Sequence, residues 1–499
     1  MRGRVAAAVC AALIGAALPA YAQARAGDPR LDQTITWAAC ADIEGLECGT
    51  FQAPFDWRTP SDGRKITIAV SRLKARGGEA RGSVLTNPGG PGGPGRTLPL
   101  LYTGRTKLVE AMDVIGIDPR GTGASTNTTC GGFDWLTLTD PRDRSRANTE
   151  LLYDAAELQA KACQTRSGEF GKVVNTEQTV RDLDLLRRLL GREKINWIGY
   201  SGGTWMGAYY ATYFPDRVDK FVLDSNTDFT GTFQDVFDNF GYGFERRFRV
   251  DFLPWVARYD SLYHLGTTAE QVRQAYETTR AKVAADPLSL PNGFVVDGVQ
   301  LDVMLIQAQY SKRAFPDAAA ALASVNRAVT TGVPTLATYP DAQNATFYAI
   351  TCNDTEFRHN RATLALEAER LGRRYPLAGY LQMLAPCAFW DRPALRLEKP
   401  TGRGVPPILM VQSERDPATP LEGAQRAHRD FAGSRLLTVT DEGDHGVYGF
   451  GNPCVDDVVE AFIVDGKVPP RDLTCPGMPL PDPTAPTAAT AGPLVAWPL

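Results

Sequence analysis

One group of residues in this chain of 499 has an immediate chemical reading: Gly199-Tyr200-Ser201-Gly202-Gly203. A serine between glycines fits Gly-x-Ser-x-Gly, provided a strand leads in and a helix leads out. The apolar run at 195–198 and the small-residue stretch after 203 meet that condition. The glycines matter because a sharp turn holds the serine in a strained backbone conformation, where larger neighbours would clash. Such a turn exposes the hydroxyl and aims the next backbone N–H, that of Gly202, at a developing oxyanion. The chemistry this predicts is acyl transfer through a serine nucleophile. A glycine turn that merely packs a helix on a strand would share the pentapeptide.

A serine nucleophile needs a base, and the base needs an orienting acid. The chain has four histidines, His264, His359, His428 and His445. His445 follows the last apolar strand pattern, in Glu442-Gly443-Asp444-His445-Gly446. His428 lies in a polar helical stretch and reads as solvated. The acid belongs after a strand between serine and histidine. Asp416 meets that in Ser413-Glu414-Arg415-Asp416-Pro417. Asp224, at the end of an earlier strand, and Asp444, beside the histidine, are the rivals. The order Ser201…Asp416…His445 is one in which such triads occur.

A glycine-dense loop, from Asn87 and Pro88 through Gly89-Gly90-Pro91-Gly92-Gly93-Pro94-Gly95, follows the strand at 83–86. It brings backbone N–H groups to a ligand with no side chain in the way. A phosphate loop is excluded, because no Gly-Lys-Ser/Thr follows and no dinucleotide glycine pattern opens a helix. No cofactor is implied.

Alternating strands and helices must position these groups. The pattern predicts strands at 66–70, 83–86, 112–117, 195–198, 220–223, 407–411 and 435–439. A helix over 175–190 carries a capping pattern at Asn175 and Gln178, an apolar stripe at Val180, Leu183 and Leu186, and a stop at Gly191. Strands separated by helices mean a mostly parallel sheet. A loop of roughly 180 residues between the strands at 220 and 407 is implausible. Its helical patterns at 269–285, 316–330 and 362–371 predict an inserted, mainly helical cap. The expected division is a core of 23–228 and 401–475, a cap of 229–400 and a flexible Pro/Ala/Thr-rich tail of 476–499.

Charged residues are 22%, apolar residues 43% and formal net charge −4, so no basic surface advertises nucleic acid. Arg2 and Arg4, an apolar run from Val5 and a small-x-small site at Ala20-Tyr21-Ala22 predict a signal peptide over 1–22. No later run is apolar and long enough to span a membrane, so no stable membrane insertion is expected. The product is then exported, to periplasm or medium, and nothing here sets its oligomeric state. Cys10 leaves with the leader. The remaining Cys40, Cys48, Cys130, Cys163, Cys352, Cys387, Cys454 and Cys475 are an even set, expected to pair locally in chain order. No Cys-x-x-Cys or His-Cys cluster has the spacing of a metal site.

Taken together, the chain resembles the secreted tripeptidyl aminopeptidase branch of the α/β-hydrolases, related to prolyl iminopeptidases. The resemblance runs from about Trp37 to Cys475. Its marks are Cys40…Cys48, Gly89-Gly90-Pro91-Gly92, Asp118-Pro119-Arg120-Gly121-Thr122-Gly123, Gly199-Tyr200-Ser201-Gly202-Gly203, Pro215-Asp216-Arg217-Val218 with Asp224, Asp416…Thr419-Pro420 and His445-Gly446. It implies an α/β-hydrolase fold, short peptide substrates with free amino termini, and Gly90 beside Gly202 as oxyanion donors. The iminopeptidases carry His where this chain has Pro88. An aminopeptidase must also hold a substrate ammonium, and Asp354 and Glu356 are candidates in the cap. A carboxylesterase or lipase would use the same triad, and a binding protein on this fold would use none. Epoxide hydrolase or dehalogenase chemistry needs a carboxylate where Ser201 stands.

Overall fold

The computed structural model describes residue 30 and residues 32–330, 333 and 339–485. The expected signal peptide and residues 486–499 of the expected tail lie outside that range. In chain order the strands are β1 (Ala38–Ala39), β2 (Glu47–Pro54), β3 (Lys65–Leu73), β4 (Gly82–Asn87), β5 (Met112–Asp118), β6 (Ile195–Tyr200), β7 (Val218–Asp224), β8 (Leu288–Ser289), β9 (Val295–Val296), β10 (Leu409–Ser413), β11 (Arg435–Thr440) and β12 (Leu473–Pro476). Ten of them form one sheet in the order β1-β2-β3-β5-β4-β6-β7-β10-β11-β12, and β8 and β9 form a separate hairpin.

The first three pairings, β1–β2, β2–β3 and β3–β5, are antiparallel. Every pairing from β5 to β12 is parallel. Apolar continuity explains the difference. Every residue of β6 and of β10 is buried, as strands covered by helices on both faces require. The expected strands all form. β1, β2 and β12 were not expected. β2 reads Glu-Cys-Gly-Thr-Phe-Gln-Ala-Pro and buries only Phe51, Ala53 and Pro54, so its pairing with β3 and, at one end, with β1 makes it a strand.

The expected helix at 175–190 spans Thr176–Leu189, with the Asn175 side chain accepting from the Gln178 N–H and Val180, Leu183 and Leu186 buried. The long helix Arg146–Lys172, broken at Gly168 where φ is 56°, had no expectation. Between β7 and β10 the regular elements of the described chain are helices apart from the β8–β9 hairpin, with irregular stretches such as 390–408 between them. The helices include Phe233–Asp238, Phe240–Arg247, Ala269–Ala285, Gly298–Ala308, Phe315–Asn326, Asp341–Asp354 and Arg361–Arg374. The expected 316–330 helix stops early, at Asn326, and Ala328 follows with φ of 55°. The cysteines pair as Cys40–Cys48, Cys130–Cys163, Cys352–Cys387 and Cys454–Cys475, in chain order. Among the described residues no helix is long and apolar enough to cross a membrane.

Candidate active site

Ser201 sits between the end of β6 and the helix Gly202–Tyr213, with φ 54° and ψ −122°. That is the strained conformation expected of an exposed elbow serine, and its surroundings maintain it. The Ser201 N–H donates to the Asp224 carbonyl at the end of β7 (3.0 Å). Its own carbonyl accepts from the Thr204 hydroxyl (2.6 Å). The glycine loop after β4 lies directly against this turn. A Cβ on Gly89 would fall 2.4 Å from the Tyr200 carbonyl oxygen and 2.7 Å from the Gly202 nitrogen. A Cβ on Gly202 would fall 3.2 Å from the Gly90 nitrogen. Close backbone approach is therefore what the glycines supply. The Asn87 side chain accepts from the Gly89 N–H (2.9 Å), and Asp118 accepts from those of Gly95 and Arg96 (2.9 and 3.0 Å).

Asp416 and His445 come from the loops after β10 and β11. Both side chains are fully buried. His445 Nδ1 lies 2.9 Å from each Asp416 carboxylate oxygen. Oδ1 of Asp416 also accepts from the Ala418 and Thr419 N–H groups (3.0 and 2.9 Å). These bonds fix the carboxylate, and with it the ring. The histidine backbone is fixed from above: its N–H donates to the Tyr310 carbonyl (2.9 Å), and the Tyr310 ring lies edge-on to the imidazole at 5.4 Å. Ser201, Asp416 and His445 thus follow the carboxyl ends of three parallel strands, the edge where open α/β sheets bind ligands.

The two rival acids have other partners. Asp224 accepts from the Val447 and Tyr448 N–H groups (3.0 and 2.8 Å), just past His445. Its neighbour Ser225 accepts from the Gly446 N–H (2.7 Å). Asp224 therefore clamps the histidine loop. Complete burial pushes its pKa up to about 6, against the pull of those N–H donors. Asp444 bonds Arg247 and the Lys312 N–H. Burial raises its pKa, and the Arg247 charge opposes the rise.

Ser201 opens into a narrow cavity walled by Gly90, Pro91 and Gly202 from the sheet side. Phe233, Val236, Phe237, Phe240, Tyr310 and Phe347 close it from the helical side, beside Ala418 and Thr419. Phe237 and Phe240 also wall a neighbouring cavity whose lining includes Gln234 and Asp238. Neither Asp354 nor Glu356 lines the catalytic cavity. Asp354 is buried against the start of the Thr176–Leu189 helix, where it accepts from the Thr176 N–H (2.9 Å) and hydroxyl (2.5 Å). Burial pushes its pKa up to about 7. Glu356 is exposed. His428, expected to be solvated, instead bridges Ser434 and Asp472 (2.7 and 3.1 Å). Reasoning from sequence missed Tyr310 and Asp238, since neither lies in a motif.

The fold defines the class, an α/β-hydrolase, and the relatives make it a serine hydrolase of the peptidase type. Residues 375–475 match the family model described as TAP-like protein. Over 490 residues the chain is 36% identical to the tripeptidyl aminopeptidase of Streptomyces lividans, covering 92% of this chain and 89% of that one. It is 28% identical to the serine protease Hip1 of Mycobacterium tuberculosis (94% and 96% covered). The same identity is found with a carboxylesterase B of that organism (90% and 91% covered). The chain belongs to the tripeptidyl aminopeptidase family.

Proposed function

We propose that the protein is an exported aminopeptidase that releases tripeptides from free amino termini, with Ser201, His445 and Asp416 as its triad. His445 takes the Ser201 proton while Asp416 holds Nδ1 and stabilises the imidazolium. Ser201 Oγ attacks the scissile carbonyl, and the Gly202 and Gly90 N–H groups receive the oxyanion. His445 returns its proton to the leaving amine. Water, deprotonated by the same imidazole, then cleaves the acyl-enzyme and frees Ser201. The observation that carries the reading is the buried Asp416–His445 pair, at the same carboxyl edge of the sheet as an elbow serine with φ of 54°. Four disulfides support an oxidising, exported location. Residues 229–400 act as the cap and 23–228 with 401–475 as the core.

For the substrate ammonium, the geometry favours Asp238 over Asp354 and Glu356. Asp238, whose carboxylate has only long contacts to Arg358 and Gln234 (3.9 and 3.5 Å), borders the cavity that shares Phe237 and Phe240 with the Ser201 cavity, whereas Asp354 is held by Thr176 at 2.9 and 2.5 Å. An esterase reading draws on the carboxylesterase B relative. One comparison separates the two: turnover of tripeptidyl anilides, their acetyl-blocked forms and short acyl esters. Preference for the free-amine anilides supports the peptidase, and activity confined to esters refutes it.

A further inference from the structure

Arg415 directly precedes Asp416, and Asp444 directly precedes His445. Both charges point away from the triad into the helical segment, and there they are joined. Arg415 Nε lies 3.0 Å from Asp251 Oδ1. Asp251 Oδ2 lies 3.6 Å from Arg247 Nη1, and Arg247 Nη2 reaches Asp444 Oδ1 at 2.5 Å. Arg247 and Asp251 stand one turn apart, at the end of the helix Phe240–Arg247 and in the π-turn Phe248–Phe252 that continues it. Arg247 is fully buried and Asp251 is 5% exposed. Next to this chain, Lys312 Nζ pairs with Glu442 Oε2 (2.5 Å). The fit against the histidine loop is tight, since a Cβ on Gly443 would fall 1.5 Å from Arg247 Nη1.

Alternating charges in a buried site attract strongly, and removing one leaves its neighbours uncompensated. Here the ends of the series are the residues adjoining the triad acid and the triad base. We propose that Arg247 and Asp251 are positioning residues, a buried ionic splint by which the helical segment holds the Asp416 and His445 loops in register. The inference rests on the triad assignment above. Backbone bonds already align the loops in one direction, Arg415 N–H to the Glu442 carbonyl (2.8 Å) and the Ser413 hydroxyl to the Asp444 carbonyl (2.6 Å). The splint braces them on the side facing the substrate cover. It makes the cap part of the catalytic apparatus, because a displacement of about 1 Å between reacting groups can cost on the order of a hundredfold in rate.

The test uses full-length Arg247→Met and Arg247→Lys. Arg280→Met is the control, since Arg280 lies in the same helical segment, pairs with Asp302 there and with Asp140 of the core (3.0 and 2.6 Å), and bonds neither loop. Three quantities are measured: kcat and KM on a tripeptidyl anilide, the rate of Ser201 phosphonylation by a fluorophosphonate, and Tm. Arg247→Met is expected to lower kcat and the phosphonylation rate more than tenfold, with KM within threefold. Arg247→Lys should recover part of that loss, and Arg280→Met should change Tm alone. A smaller loss in Arg247→Met, or an equal loss in Arg280→Met, overturns the proposal. Should Arg247→Met not fold, Asp251→Asn is read instead: it keeps the side-chain shape, and kcat must fall at least threefold with KM unchanged. If the unmodified protein is not phosphonylated at Ser201, the triad assignment fails. If it is, and the variants react as fast, only the splint fails.

Discussion

Replacing Asp416 by Asn tests the site with little change in volume. Oδ1 is held by two backbone N–H donors at 3.0 and 2.9 Å, so the amide oxygen of an Asn must take that position. Its NH2 group then occupies the place of Oδ2, 2.9 Å from His445 Nδ1. Oδ1 is also 2.9 Å from Nδ1 but already carries two backbone N–H bonds, so an NH2 donor facing Nδ1 favours the tautomer in which Nδ1 accepts. The ring proton moves to Nε2, which can no longer take a proton from Ser201. The loss expected from a wrong tautomer is about a thousand- to ten-thousandfold in kcat, about 4–5.5 kcal/mol of barrier, with KM little changed. Steady-state kinetics on a tripeptidyl anilide measures it. Asp224→Asn is the matched control, since its retained oxygen can still accept from Val447 and Tyr448; it should lose less than about tenfold. Activity of Asp416→Asn within tenfold of the unmodified protein, or a larger loss from Asp224→Asn, would refute the reasoning.

Asp238→Asn should raise KM about tenfold for free-amine tripeptidyl substrates and leave acetyl-blocked ones unaffected, about 1.4 kcal/mol for a charged hydrogen bond at a half-buried carboxylate; equal effects on both exclude an ammonium role. Asp354, with its pKa pushed up to about 7 by burial, binds its proton more tightly folded than unfolded. Its stabilising contribution is complete below the unfolded value of about 3.9 and is lost as pH rises from there to about 7. Asp354→Asn should therefore flatten the Tm profile between pH 4 and 7, and an unchanged slope contradicts the assignment. Gly89→Ala, at φ 99° with the Tyr200 oxygen 2.4 Å from the added carbon, should cut kcat at least about a hundredfold by moving the oxyanion loop; activity near the starting level would show that the loop is not in contact.

What was legible in the sequence was whatever local patterning controls. Largely apolar runs such as those in β6 and β10 marked the parallel strands, and Asn175 marked a helix start at the residue that caps it. Ser201 stood out because its backbone strain demands glycines beside it. His445 and Asp416 stood out because each ends a strand in a known chain order. β2 was hidden because its alternation is confined to Thr50-Phe51-Gln52-Ala53 and the rest of it depends on its partner strands. The partners of Asp354 and the series from Arg415 to Asp444 were hidden for a related reason. Thr176 and Asp354 are 178 residues apart, and no local spacing encodes such a contact.

The most direct test of the central claim is to trap the intermediate. The protein is mixed with a free-amine tripeptidyl nitrophenyl ester, quenched in acid, and mapped by mass spectrometry. One tripeptidyl group is expected, on Ser201, and none on Ser201→Ala, whose turnover is lost. An acyl group on another residue, or a Ser201→Ala variant that keeps its turnover, would contradict it.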